Sequence, residues 1–465
     1  MPTETANGDS RLSFWLRVRE FAVPPSMIET ATARRLAGDW AGACAAAGID
    51  VDLSVRAVAR AYGRDVATRL RADLRQLVPE LLRWHMPRVA PHGLLRPGLT
   101  LALARYDTSG PDGERTVQLV VRTPPAWADG GQRISLALWD GSHADHGARR
   151  HPHPHPSRRF RLDLHRHLWD ARRTDELRVR SGADRPTAGR PLVAGAGLLR
   201  SVPQGHRCAV ERWAAEAGIL LRAEGRPRSA GAVLVRLGGR HRLALEATGE
   251  RCSPKVRIAA APPDGGAGVL PVLPDAATWT PPDLELLRSG AIDAERLHPL
   301  VASALVPDHL PTGPPGPEDR PGQPHLVECR GARHRIALVE GVLAPLDHDP
   351  AEIRREELLV ALTGTPLPCL QAIDAAHRRP DCLTGVRERL DHGDVAGALA
   401  VVEGLLGPEA VLRDGPLRDE LEAAAQRRIT YGLYRSGLVG PGPDRIRPGL
   451  PRPRSHRTHP RHTFA

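Results

Sequence analysis

The stretch "GDWAGACAA" at residues 38–46 returns, little altered, as "GDVAGALAV" at residues 393–401, near the other end of the chain. Around the first copy Ile28, Ala31, Leu36, Ala43 and Ala46 fall near helical spacing. Around the second, Val386, Leu390, Leu399 and Val402 do the same. Each copy therefore reads as a helix, a Gly-Asp turn and a helix. Glycine takes the left-handed conformation at the end of one helix, and the carboxylate of Asp39 or Asp394 caps the free N–H groups of the next. Small residues after each aspartate let the paired helices approach closely. Two such αα-hairpins are too few for a solenoid, which needs about three or more stacked units. The repeat instead places helical regions at both ends of the chain.

Between those ends the period changes from helical to alternating. "LTLALARYD", "RTVQLVVRTPP" and "QRISLALWDG" read as strands of an antiparallel meander. Further on, "VLVRLGGRHRLALEATG" at 233–249 lines up with "LVECRGARHRIALVEG" at 326–341. Both read as β-hairpins turning through Gly238, Gly239 and Gly331, with His241 and His334 in equivalent places after the turns. Gly239 and Gly331 are the turn positions where a Cβ is costly if φ is positive. An amphipathic helix precedes the first hairpin and further helices precede the second, so a duplicated α+β module is expected.

The fold class follows: α+β and multi-domain, with helical N- and C-terminal regions flanking antiparallel β-hairpin and meander modules. At 465 residues the chain exceeds one ordinary domain. Its 45 glycines and 45 prolines concentrate in connectors such as "APPDGGAGVLPVLPDAA" and "LPTGPPGPEDRPGQP". The expected divisions are a helical region with an αα-hairpin at 1–95 and a β-meander with a His/Pro-rich loop at 96–170. A linker at 171–206 leads to an α+β hairpin module at 207–265. Helices, a Pro-rich linker and the second hairpin module occupy 266–345, a C-terminal helical region 346–437, and a disordered basic Pro/Arg tail 438–465. Trp40, Trp84 and Trp213 are expected as core or interface anchors.

A net charge of +11 raises the question of an anionic partner. Lys255 is the only lysine, so arginine carries the basic charge, a bias that a G+C-rich genome also produces. Val58, Ala59 and Gly63 suit a DNA-binding helix-turn-helix, but Arg64 and Arg69 stand where that motif wants apolar residues. Val66, Leu70, Leu74, Leu77, Val78, Leu81 and Leu82 instead form one helical stripe, with arginines mostly elsewhere on the helix. Arg64, Arg69, Arg71 and Arg75 are the candidate phosphate contacts if nucleic acid is the partner.

The six cysteines are scattered, without the spacing of a zinc ribbon, and read as reduced, mostly buried thiols. No secretory leader and no stretch of 18 apolar residues occurs, so a cytoplasmic protein without a membrane partner is expected. The densest metal-ligand chemistry lies in "DGSHADHGARRHPHPHPSRRFRLDLHRHLWD", with His143, Asp145 and His146 as the candidate ligands. Alternating His-Pro reads there as an extended, solvated loop that cannot pack. No phosphate-binding glycine loop, nucleophile elbow or zinc-protease motif is present; no catalytic residue and no cofactor is expected.

The phrases "RRLAGDWAGACAAAGIDVDLS" and "LRDELEAAAQRRITYGLYRSGL" resemble uncharacterised actinobacterial proteins associated with operons encoding a MoxR-type AAA+ ATPase and a von Willebrand A-type protein. The resemblance implies an accessory or adaptor role beside an ATPase and carries over no catalytic residue. The leading expectation is therefore a non-catalytic interaction protein with a protein partner. The alternatives are a nucleic-acid-binding protein using arginine surfaces and a metal-dependent enzyme at the histidine cluster.

Overall fold

The computed structural model describes residues 4–110, 113–141, 151–184, 208–226, 231–237, 241–248, 255–260, 270–308, 325–329, 331–339, 342–345, 347–349, 351–355, 368, 381–406 and 415–438. It is a mixed α and β structure with small sheets, as the alternating and helical periods require. Gly238, Gly239, the residues from 439 onward, and the candidate ligands His143, Asp145 and His146 lie outside the described residues.

Helix α1 (Glu4–Arg17) runs into a single π-turn at Val18–Ala22. Pro24 and Pro25 then start α2 (Pro25–Leu36), and α3 (Trp40–Ala46) completes the first αα-hairpin. The short strand β1 (Ile49–Val51) leads to α4 (Val55–Tyr62), α5 (Arg64–Gln76) and α6 (Pro79–Trp84). The stripe from Val66 to Leu82 is therefore broken rather than one helix. Pro79 has no N–H to offer a preceding turn and restricts Val78, so α5 stops and α6 begins with the proline in its first turn. Every residue of α6 is buried, Glu80 and Arg83 included.

A minor hairpin, β2 (Arg88–Val89) with β3 (Leu94–Leu95), precedes the main sheet. Strands β4 (Thr100–Gly110), β5 (Gly113–Arg122) and β6 (Ile134–Trp139) form the antiparallel meander read from the sequence. The meander gains a fourth strand, because β1 pairs parallel with β6 and gives the order β1-β6-β5-β4. Three residues are too few to show an alternating period, and "GIDVD" reads as the tail of a helical hairpin. Leu101 to Ala104 and Val117 to Val121 are buried at successive rather than alternate positions. Both faces of the middle strands are thus covered.

One large core joins Leu70, Leu74, Leu82, Trp84, Leu101, Leu119, Leu136 and Trp169. It also takes Leu177 from α7 (Glu176–Ser181). A second core packs Trp213 and Leu220 of α8 (Val210–Ala223) on a three-stranded sheet. That sheet comprises β7 (Ala232–Arg236), β8 (Arg242–Thr248) and β9 (Lys255–Ala260). Ala277 of α9 (Asp275–Thr278) closes it, whereas Leu286 of α10 (Pro282–Arg288) and Val301 of α11 (Pro299–Leu305) return to the large core.

The second hairpin forms its own sheet from β10 (His325–Cys329), β11 (Ala332–Val339) and β12 (Val342–Pro345). The two hairpins share a pattern but not a register. Two residues separate the paired Cys329 and Ala332, whereas three separate Leu237 from His241, to whose carbonyl its N–H donates. His334 consequently pairs with Val327 inside β11, while His241 stands just before β8. The equivalence expected of these histidines does not hold. A small third core, with Val386, Leu390, Ala398, Val402 and Ala424, unites α12 (Asp381–His392), α13 (Val395–Leu406) and α14 (Pro416–Ser436).

Candidate functional site

The two Gly-Asp turns have the same geometry at opposite ends of the chain. Gly38 and Gly393 have φ of +78° and +84°. The Gly42 N–H donates to Asp39 Oδ1 over 2.8 Å, and the Gly397 N–H to Asp394 Oδ1 over 3.0 Å. An arginine five residues earlier completes each cap: Arg34 Nη1 donates to Asp39 Oδ2 over 3.0 Å and Arg389 Nη1 to Asp394 Oδ2 over 2.9 Å. The sequence signal for that third element, an arginine in the last turn of the preceding helix, stands in both copies.

What separates the copies is what lies beneath them. The turn after α12 rests on the body of the protein, where the buried guanidinium of Arg83 reaches three carbonyls. Nε donates to Ala22 O at 2.9 Å, Nη1 to Gln132 O at 2.6 Å and Nη2 to His392 O at 2.8 Å. Gly393 lies against the backbone of Gly131, and Gly130 lies under the ring of Tyr431. On α14, Tyr431 Oη donates to Asp50 Oδ2 over 2.7 Å and Arg435 pairs with Asp52. Trp127 meets Tyr434 edge to face at 5.3 Å. The helical unit is thus latched to the sheet edge by polar groups and glycine contacts. On α14 itself, Ile429 and Leu433 are 56% and 40% exposed. Each lies two residues from Tyr431, about 200° round the helix from the latched side. Arg83, Gly131, Tyr431 and Arg435 were not legible as a set, although "DGGQR" and two tyrosines in an aromatic-poor chain mark the places.

The candidate phosphate contacts divide. Arg64, Arg69, Arg71 and Arg75 are all exposed on α5, whose other side buries Val66, Leu70 and Leu74. Arg69 is committed to the sheet: Nη2 donates to Asp107 O at 2.8 Å and the guanidinium lies 5.8 Å from the Tyr106 ring. Arg64, Arg71 and Arg75 make no ion pair with any described residue. Arg56 and Arg60 of α4 are exposed as well. A single glycine, Gly63, joins α4 to α5, too short for the turn of a helix-turn-helix.

From His151 onward the His-Pro segment is held by backbone bonds, contrary to the solvated loop expected, although His153 and His155 keep exposed side chains. His151 is 2% exposed and its Nε2 lies 2.9 Å from Thr123 O. The Thr100 hydroxyl donates to His153 O over 2.7 Å, and the Ser157 N–H donates to Thr100 O over 2.8 Å. Residues 151–161 form a strap along the edge strand β4, which shields backbone groups that an open edge leaves bare. His165 and His167 are buried too. His165 Nε2 lies 3.3 Å from Glu216 Oε2, and Arg180 donates to both Glu216 oxygens at 2.6 and 2.8 Å. Burial alone would raise the Glu216 carboxyl, but His165 and Arg180 outweigh it and hold the group down to about 2. Asp73 accepts from Tyr106 Oη at 2.9 Å and from Arg172 at 2.8 Å, while Arg166 pairs with both Asp73 and Asp170. These clusters tie segments far apart in sequence. Among the described residues no three His, Cys, Asp or Glu side chains converge as a metal site. Burial pushes the free thiols of Cys44 and Cys208 up to about 12, so neither is a thiolate at neutral pH.

No helix among the described residues is long and apolar enough to cross a membrane. No known family, curated protein or solved structure matches the chain.

Proposed function

We propose that this chain is a cytoplasmic, non-catalytic adaptor that docks a protein partner, an AAA+ ATPase of the MoxR type, through its C-terminal helices. The observation that carries the reading is the two-sided character of α14. One side is latched to β1 through Tyr431 and Arg435, and the other presents Ile429 and Leu433 one turn apart. Apolar side chains at that spacing are anchors of the kind a partner helix or groove buries. The operon-type resemblance supplies the ATPase.

A second reading, nucleic-acid binding, is favoured by Arg64, Arg71 and Arg75, which stand exposed on one helix and unpaired among the described residues. The two readings separate in one experiment. The tagged chain is captured from its own cytoplasm at low and high salt, with and without nuclease, beside Ile429→Asp/Leu433→Asp and Arg64→Ala/Arg71→Ala/Arg75→Ala variants. An ATPase that survives nuclease and is lost only with the α14 variant supports the adaptor. Nucleic acid lost only with the arginine variant, with a salt slope lower by about 3, supports the alternative and removes the first reading.

A further inference from the structure

Between α14 and the edge strand β1 lies an open cleft of about 320 Å³, lined by Asp50, Arg133, Arg428, Tyr431, Gly432 and Arg435. Three guanidiniums face one carboxylate there. Asp50 is already satisfied: Arg133 donates to it through Nε at 3.1 Å and Nη2 at 2.6 Å, and Tyr431 Oη donates at 2.7 Å. Arg435 is fixed by Asp52, and its Nη1 lies 3.5 Å from Asp50 Oδ2. The two aspartates therefore orient two arginines and neutralise part of their charge. Arg428, exposed and without an ion pair among the described residues, leaves the lining net positive. Gly432 lies inside a 21-residue helix, where glycine costs about 1 kcal/mol relative to alanine. A Cβ there would meet nothing within 4 Å, so the helix backbone forms an open wall of the cleft.

We propose that this cleft binds the phosphoryl group of a small phosphate monoester, between Arg133, the residue before β6, and Arg428 and Arg435 on α14. A phosphoryl group offers three acceptor oxygens and a charge near −2, which matches several converging guanidiniums better than a carboxylate does. The volume is at the lower end for ligand pockets and suits a phosphorylated metabolite. Such a ligand bridges the C-terminal helices to the sheet, and the site stands whether or not α14 also docks a protein.

The test is calorimetric titration of the full chain with glycerol 3-phosphate, inorganic phosphate and acetate at constant ionic strength. It is repeated on Arg428→Ala, Arg428→Lys and Gly432→Leu. The expected result is saturable binding of the ester, about tenfold weaker in Arg428→Ala, partly restored in Arg428→Lys and lost in Gly432→Leu, with no melting temperature below that of the parent chain. Equal binding of inorganic phosphate assigns recognition to the phosphoryl group alone, and tighter binding of the ester assigns it to the monoester; both uphold the site. Competition by acetate at equal concentration, binding indifferent to all three variants, or no saturation at millimolar ester overturns it.

Discussion

Nη2 of Arg83 donates to the carbonyl oxygen of His392 across 2.8 Å, joining residues 309 positions apart. The same guanidinium holds Ala22 O and Gln132 O, so one side chain pins the N-terminal turn, the loop before β6 and the C-terminal helical hairpin. Burial pushes Arg83 down to about 10, which leaves it charged at neutral pH. Replacing it with methionine keeps the apolar stem and leaves three carbonyls without their donor. Arg83→Met is expected to cost about 3 kcal/mol or more in urea unfolding. Amide exchange should accelerate in 381–406 before it does in β4 and β5. Exchange that stays uniform across both regions would remove the pinning role from Arg83.

Acid should destabilise this protein through His151 and His392, which are buried, and His85, which is half-buried. Burial is the largest cause in each case, and it pushes His85 and His151 down to about 4 and His392 down to about 3, from an ordinary 6.5. Above pH 6.5 folded and unfolded states both hold these rings neutral. As pH falls below that, the unfolded chain takes up protons that the folded chain refuses, so stability is lost progressively down to the folded values. Each ring contributes a slope of at most about 1.4 kcal/mol per pH unit. His392→Gln, whose amide can still donate to the His92 carbonyl, should flatten the acid limb of a plot of urea midpoint against pH. An unaltered limb would place the acid sensitivity elsewhere.

The element types were legible where the period ran long enough to count. β4 to β6 and the paired helices at both ends follow directly from their spacing, and Pro79 explains the break in the α5 stripe. β1 was not legible because three residues carry no period; its parallel place beside β6 depends on the rest of the sheet. The His-Pro strap was misread because proline-rich sequence looks solvated unless the edge it covers is known. The seam was hidden for a further reason: Arg83, Gly131, Asp50 and Tyr431 are unremarkable singly, and only the fold brings them together.

The two capping aspartates should respond unequally to the same substitution. Their hydrogen bonds match, but the Asp39 side chain is 41% exposed and that of Asp394 only 10%. Water can replace the lost acceptor at Asp39 far more readily. Asp394→Ala is expected to cost about 1–2 kcal/mol, and Asp39→Ala measurably less. A double-mutant cycle of Asp394 with Arg389 should show coupling, since Arg389 also lies over the Phe21 ring at 5.5 Å. Equal losses at both caps would mean that the seam adds nothing to the second.

Glycine to alanine distinguishes a turn that merely needs a left-handed residue from one that also needs bare space. Gly331 has φ +80° and an added Cβ meets nothing within 4 Å, so Gly331→Ala should cost about 1 kcal/mol from backbone strain alone. Gly393 has the same sign of φ, but its Cβ would overlap the carbonyl oxygen of Gly131, which is backbone and cannot swing aside. Gly393→Ala must therefore part the turn from the sheet or distort both. It is expected to cost about 3 kcal/mol or more and to expose the bonds from Arg83 to His392 and from Tyr431 to Asp50 to water. Limited proteolysis gives the readout. Gly393→Ala should release the C-terminal helices as an early fragment while the body stays resistant, and Gly331→Ala should cut like the parent chain. Identical digestion patterns for the two variants would show that the close approach at Gly131 does not hold the seam.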